Sequence, residues 1–241
     1  MGESFERATV GEIVAMDFRA GAVFEQFGID FCCGGRRSVA EACRQAAADP
    51  DAVERALRAL PTSARHDEDD VREWPVGRLI DHIVGTHHAY ARSAMPTIAR
   101  YLARLVEVHG ARHSELTRIA AAFNQMSADL THHMLKEERV LFPYIRELGS
   151  TPDGEAPPSP FGTVENPIRM MEREHREAGE EMRLIRELTN GYTPPADGCS
   201  TYRVSFAELA RFERDLHRHV HLENNVLFPK AVALDRGAWR S

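Results

Sequence analysis

Two segments of the chain, "HMLKEERVLFP" at 133–143 and "HVHLENNVLFP" at 219–229, share one pattern: His, three residues, Glu, two residues, then Val-Leu-Phe-Pro. Residues four apart in a helix lie on one face, one turn apart, so each His and Glu can reach a common point. The first pair falls within apolar residues stepping by three or four: Phe123, Met126, Leu130, His133, Glu137 and Val140. The second falls within Leu209, Phe212, Leu216, His219, Glu223 and Val226. Both pairs therefore point inward, which commits the chain to helices packed around polar side chains. His217 and His221 lie two residues off the second stripe, roughly 200° around the helix, and are excluded as ligands.

A third stripe, Ile168, Met171, His175, Ala178, Met182 and Ile185, contributes His175. In a fourth region His87 and His88 are adjacent, and a stripe from Ile80 and Val84 runs through either, so spacing does not choose between them. One inward histidine is an ordinary hydrogen-bonded core residue. Two carboxylates and four imidazoles buried together without a cation would cost several kcal/mol per ionised group, and a metal centre is the simplest account. Imidazole and carboxylate with no inward thiol suit non-haem iron or manganese and exclude a cysteine-type structural zinc. Two metals fit better than one, with two histidines each, both glutamates bridging, and room for an oxo or hydroxo bridge and a small ligand. The Glu-x-x-His pattern of ferritin-like bundles is absent.

Apolar residues recur at helical spacing nearly everywhere, so the chain reads as all-α. Thr9 with Glu12, Ser38 with Glu41, and Asp49 before Pro50 mark helix starts, giving short helices near 9–27, 38–48 and 50–60. The expected organisation is an N-terminal helical domain over 1–60, a linker over 61–75 ("PTSARHDEDDVREWP") and a four-helix bundle over 76–235. The bundle helices are expected near 76–107, 112–147, 165–189 and 201–233, with "GSTPDGEAPPSPFG" joining the second to the third.

The 30 basic and 37 acidic residues are interspersed along the helices, for a net charge of −7, which leaves no nucleic-acid footprint. The first twenty residues lack the basic start and apolar run of a signal peptide, Glu6 breaks the myristoylation pattern after Gly2, and no apolar stretch reaches about 18 residues. A cytoplasmic protein without membrane partners is expected, its four cysteines (32, 33, 43, 199) present as thiols.

Cys32 and Cys33 are adjacent and followed by Gly34 and Gly35. Adjacent cysteines are a poor clip for a single metal, and a disulfide between them closes a strained ring. Arg36, Arg37 and the helix start at Ser38 would stabilise thiolates, so both cysteines are expected to be reactive, while the glycines would let the backbone approach another surface. Cys43 and Cys199 read as small buried hydrophobes.

Together "GIDFCCGG", "HMLKEERVLFP", "MEREHREAGE" and "HLENNVLFP" closely resemble the repair-of-iron-centres family, the di-iron iron–sulfur cluster repair proteins with a hemerythrin-like domain. The resemblance spans essentially the whole chain. It implies two non-haem irons held by His88, His133, His175 and His219 with bridging Glu137 and Glu223. It also resolves the first helix, because "IDHIVGTHH" places the ligand at His88 and leaves His82 and His87 as neighbours. Glu174, in the "EH" pair with His175, is implied to influence the site or an access channel. The implied function is repair of clusters damaged by nitric oxide or peroxide, by iron supplied from a labile di-iron centre to damaged or apo iron–sulfur proteins. Nitric oxide or dioxygen would be the small ligands, and a homodimer is admitted. Two alternatives accompany it: a nitric oxide or peroxide reductase, and a gas or redox sensor.

Overall fold

The computed structural model describes residues 8–60, 70–150 and 158–237. Most of the expected linker, and the middle of the connection between the second and third bundle helices, lie outside these residues. The all-α expectation is borne out: the described residues hold helices and no strand, with one isolated bridge between Thr9 and Ser38.

The chain divides into two compact units. The first comprises Met1–Asp81, Ile145–Glu165 and Arg218–Ser241. Its N-terminal helices are α1 (Val10–Met16), α2 (Arg19–Gln26), α3 (Val39–Ala46) and α4 (Pro50–Arg58). At α1 the Thr9 backbone N–H donates to Glu12 and the Glu12 N–H donates to the Thr9 hydroxyl, a reciprocal capping box. The expected helix 9–27 is broken, because Asp17 accepts from both the backbone and the guanidinium of Arg19 and so opens a second helix. Ala47, at φ 51°, ends α3 in the left-handed region. The apolar interior of this unit includes Val10, Phe24, Phe31, Val53, Leu79, Ile145, Leu227 and Phe228. It also contains α5 (Val76–His82, all but its last residue) and α11 (Phe228–Asp235), tied down by Lys230 donating to the Trp74 carbonyl.

The second unit comprises His82–Tyr144 and Asn166–His217. It is a four-helix arrangement of α6 (Ala89–His109), α7 (Glu115–Lys136), and most of α9 (Glu165–Leu188) and α10 (Ser200–Leu222); α8 (Phe142–Ser150) follows α7 and from Ile145 onward belongs to the first unit. Phe123 of α7 and Tyr90 beside the start of α6 both pack on Phe212 of α10. Arg186 of α9 grips the buried Glu213 of α10 with two nitrogens. Leu102, Leu105, Ile119, Met182, Ile185 and Leu209 fill the interior.

Candidate metal centre

Three wide helical turns carry three of the candidate ligands, His88, Glu137 and Glu223. In Ile83–His88, Glu137–Leu141 and Glu223–Leu227 the backbone bonds reach back five residues instead of four: Phe142 N–H donates to the Glu137 carbonyl and Phe228 N–H to that of Glu223. The repeated Phe-Pro accounts for two of them. Pro143 and Pro229 have no N–H, and a proline ring crowds the carbonyl four residues back, so opening the preceding turn relieves the clash. The extra residue shifts the register. Val140, expected inside, is 47 % exposed, and Leu141 takes the buried position. The same effect in Ile83–His88 buries both His87 and His88, which explains why a regular period could not separate them.

In the second unit the structure brings together His88, His133, Glu137 and His175, all buried. His133 Nδ1–H donates to Glu174 at 2.8 Å, and His88 Nδ1–H donates to Glu138 at 2.6 Å. An ionised carboxylate only accepts, so each bond fixes the proton on Nδ1 and leaves Nε2 unprotonated in the neutral ring. Those Nε2 atoms face Glu137: His88 at 3.4 Å from Oε2 and His133 at 3.3 Å from Oε1. The Nε2 atoms of His175 and His133 are 2.9 Å apart. The bare Nε2 atoms of His88 and His133 against the Glu137 carboxylate are unfavourable in an apolar interior unless a positive charge lies between them. A cation held at about 2.0–2.2 Å by both groups would put nitrogen and oxygen about 2.9–3.4 Å apart, and the observed separations meet that condition. One ligand atom from each of His133, Glu137 and His175 lies within 4.8 Å of the others. The donor set fits a hard-to-borderline metal such as iron.

The anchoring carboxylates are themselves tied. Glu174 also accepts from Lys136, and Glu138 from Arg92. The His133 bond, opposed by burial and assisted by Lys136, holds the Glu174 carboxyl down at about 2. At Glu138, bonds from His88 and Arg92 outweigh burial and lower the carboxyl. Glu138 escaped the sequence reading because it lies off the apolar stripe; the signal available was its place one residue after a ligand, as Glu174 stands one residue before His175. Phe142 stacks on the His88 ring at 5.8 Å between centroids. A cavity of about 390 Å³ reaches His133 and His175 past Lys136, Glu174, Glu177 and Glu181.

In the first unit His219 Nε2 and Glu223 Oε1 are 2.9 Å apart and both residues are buried. His221 turns elsewhere: its ring packs against Phe18 and Phe31, and burial drives its pKa down to about 4. Directly after Glu223, the Asn224 and Asn225 amides donate to the Cys32 carbonyl at 3.4 and 3.0 Å, and Asn225 also reaches the Phe31 carbonyl. The cysteine loop therefore sits on the turn that carries Glu223. Gly35 is needed there, since a Cβ would overlap the Asn225 side chain.

Cys32 and Cys33 are free thiols, Cys32 buried and Cys33 half-buried. The Cys33 sulfur, burial and the Asp30 carboxylate push the Cys32 thiol well up, opposite to the expected thiolate stabilisation. Cys43 is buried in α3, whereas Cys199, expected to be buried, is exposed. Cys199 precedes α10 and lies 3.3 Å from His109 Nε2; the Tyr202 N–H, opposed by burial and assisted by the Thr201 N–H, lowers its pKa.

No helix among the described residues is long and apolar enough to cross a membrane. The hemerythrin HHE cation binding domain family matches residues 79–231, and the ScdA_N domain of unknown function matches residues 6–61. An iron–sulfur cluster repair protein YtfE of Dickeya chrysanthemi is 35% identical over 93% of this chain and 96% of its own. Proteins of the same name from Cronobacter sakazakii and Yersinia pestis are 34% identical, each over 95% of this chain and 98% of their own. With its buried histidine and glutamate side chains set to hold a cation, the chain belongs to the hemerythrin HHE family and, within it, to the iron–sulfur cluster repair proteins.

Proposed function

We propose that the chain repairs damaged iron–sulfur clusters by donating iron from a centre whose ligands are His88, His133, His175, His219, Glu137 and Glu223. The observation that carries the reading is the orientation of His88 and His133, each with Nδ1 bonded to a carboxylate and Nε2 turned toward Glu137. The name of the relatives, iron–sulfur cluster repair protein, supports the repair of clusters, and the donor set supports iron. Two irons bound there would supply one-electron chemistry and a pool of transferable metal. The protein's own groups do the rest. Glu138 and Glu174 keep the ring protons on Nδ1, Lys136 and Arg92 balance those carboxylates, and Phe142 covers the His88 ring. Ligands of this kind bind only when deprotonated, so protonation at the rings weakens the hold on metal and favours release.

Damaged or apo iron–sulfur proteins of the cytoplasm are the clients in this reading. The cavity beside His133 and His175 favours a second one, binding or reduction of nitric oxide at the same centre. One experiment separates them: the iron-loaded protein is mixed with an apo iron–sulfur protein, and cluster formation and residual iron are followed with and without nitric oxide. The donor reading expects clusters to form as iron leaves. Full retention of iron under every condition contradicts it.

A further inference from the structure

The loop before α3 carries a second convergence of metal-ligating groups, in the first unit. Asp30, Cys32 and Cys33 each present one ligand atom, all within 4.8 Å of one another. The two sulfurs are 4.0 Å apart, and Asp30 Oδ1 is 3.3 Å from the Cys32 sulfur. A tetrahedral cation with metal–sulfur bonds of about 2.3 Å and a metal–oxygen bond of about 2.0 Å requires sulfurs about 3.8 Å apart and sulfur and oxygen about 3.5 Å apart. The sulfur pair and the Cys32–Asp30 contact meet these distances within a few tenths of an ångström.

The backbone is held in this form by bonds that do not involve the sulfurs. Asp30 Oδ1 accepts from the Cys32 and Cys33 N–H groups, both at 3.0 Å, which fixes the carboxylate against the loop. Asn224 and Asn225 donate to the Cys32 carbonyl. Gly34 and Gly35 let the chain double back where a side chain would strike the Asp30 carbonyl or Asn225. Adjacent cysteines are a poor clip on a free strand, but this loop turns both sulfurs and a carboxylate toward one point.

We propose that Asp30, Cys32 and Cys33 form a second metal site, for a soft-to-borderline divalent cation bound by two thiolates and one carboxylate. Binding is not a redox step: two metal–sulfur bonds and one metal–oxygen bond form, and the two thiol protons pass to solvent. Three protein ligands leave a fourth position for water or for a donor from another molecule. Cys33 is half-buried and Asp30 exposed, so that position can be reached from outside. The inference stands apart from the repair reading and does not require iron in the bundle.

Cobalt(II), titrated into the reduced full-length protein, tests it. A sulfur-to-cobalt charge-transfer band needs thiolate ligands, and the proposed bundle centre has none, so the band reports on the loop whatever the bundle contains. The wild type should show the band, with proton release as it develops, and Cys199→Ser should leave it unchanged. Cys33→Ser should weaken it, and Cys32→Ser with Cys33→Ser should abolish it while the helical circular dichroism is kept. Asp30→Asn should loosen cobalt by about tenfold or more, the scale at which even outer partners of a metal act. Absence of the band in the wild type, or its survival in the double serine variant, overturns the proposal.

Discussion

His133 and Glu137 were legible as an inward pair because the helix stays regular up to Lys136, so Glu137 still follows His133 on one stripe before the turn widens. The carboxylates that orient the histidines were harder to find. Glu174 came only from a resemblance and Glu138 not at all, since each reaches from its own helix to a histidine on another element and leaves no periodic trace. Their role predicts that Glu138→Gln and Glu174→Gln each weaken metal binding by about 10–100-fold without unfolding the protein, as read by competition with a chelator. The cysteines show the same limit of local sequence. Cys199 precedes a helix whose first amides lower its pKa, so a larger share is thiolate at neutral pH. Its alkylation should be the fastest of the four, with a half-maximal rate at a pH below that of an ordinary thiol. Cys32 should react slowly at the same pH, its thiol being raised by Cys33, burial and Asp30. Peptide mapping after brief iodoacetamide treatment checks both expectations, and faster labelling of Cys32 than Cys199 would refute them.

At the scale of elements, the long helices follow the apolar period closely: 165–189 was expected and Glu165–Leu188 is observed. Departures come where side chains or prolines interfere with the backbone. Asp17 divides the expected first helix, and the Phe-Pro pairs open wide turns that a fixed 3.6-residue period cannot represent. The docking of the cysteine loop on Asn225 was legible only as a pair of glycines with room for an approaching surface. Gly35→Ala should destabilise the protein by about 1–3 kcal/mol through overpacking against Asn225. Urea denaturation measures it, and an unchanged midpoint would mean that the loop is not held by that contact.

For the whole molecule, the sequence pattern specified an all-α chain, and the matched families cover most of its length. Periodicity supplies the direction of a side chain around its own helix, not which other residues it will meet; those depend on helix packing and on the register shifts at the wide turns. The central claim is that the inward histidines and glutamates hold two irons. Iron per chain, measured in the anaerobically purified protein alongside His133→Ala and Glu137→Ala variants of wild-type helicity, tests it most directly. Two irons in the wild type and a clear loss in both variants are expected, whereas two irons retained in both variants would contradict the ligand assignment.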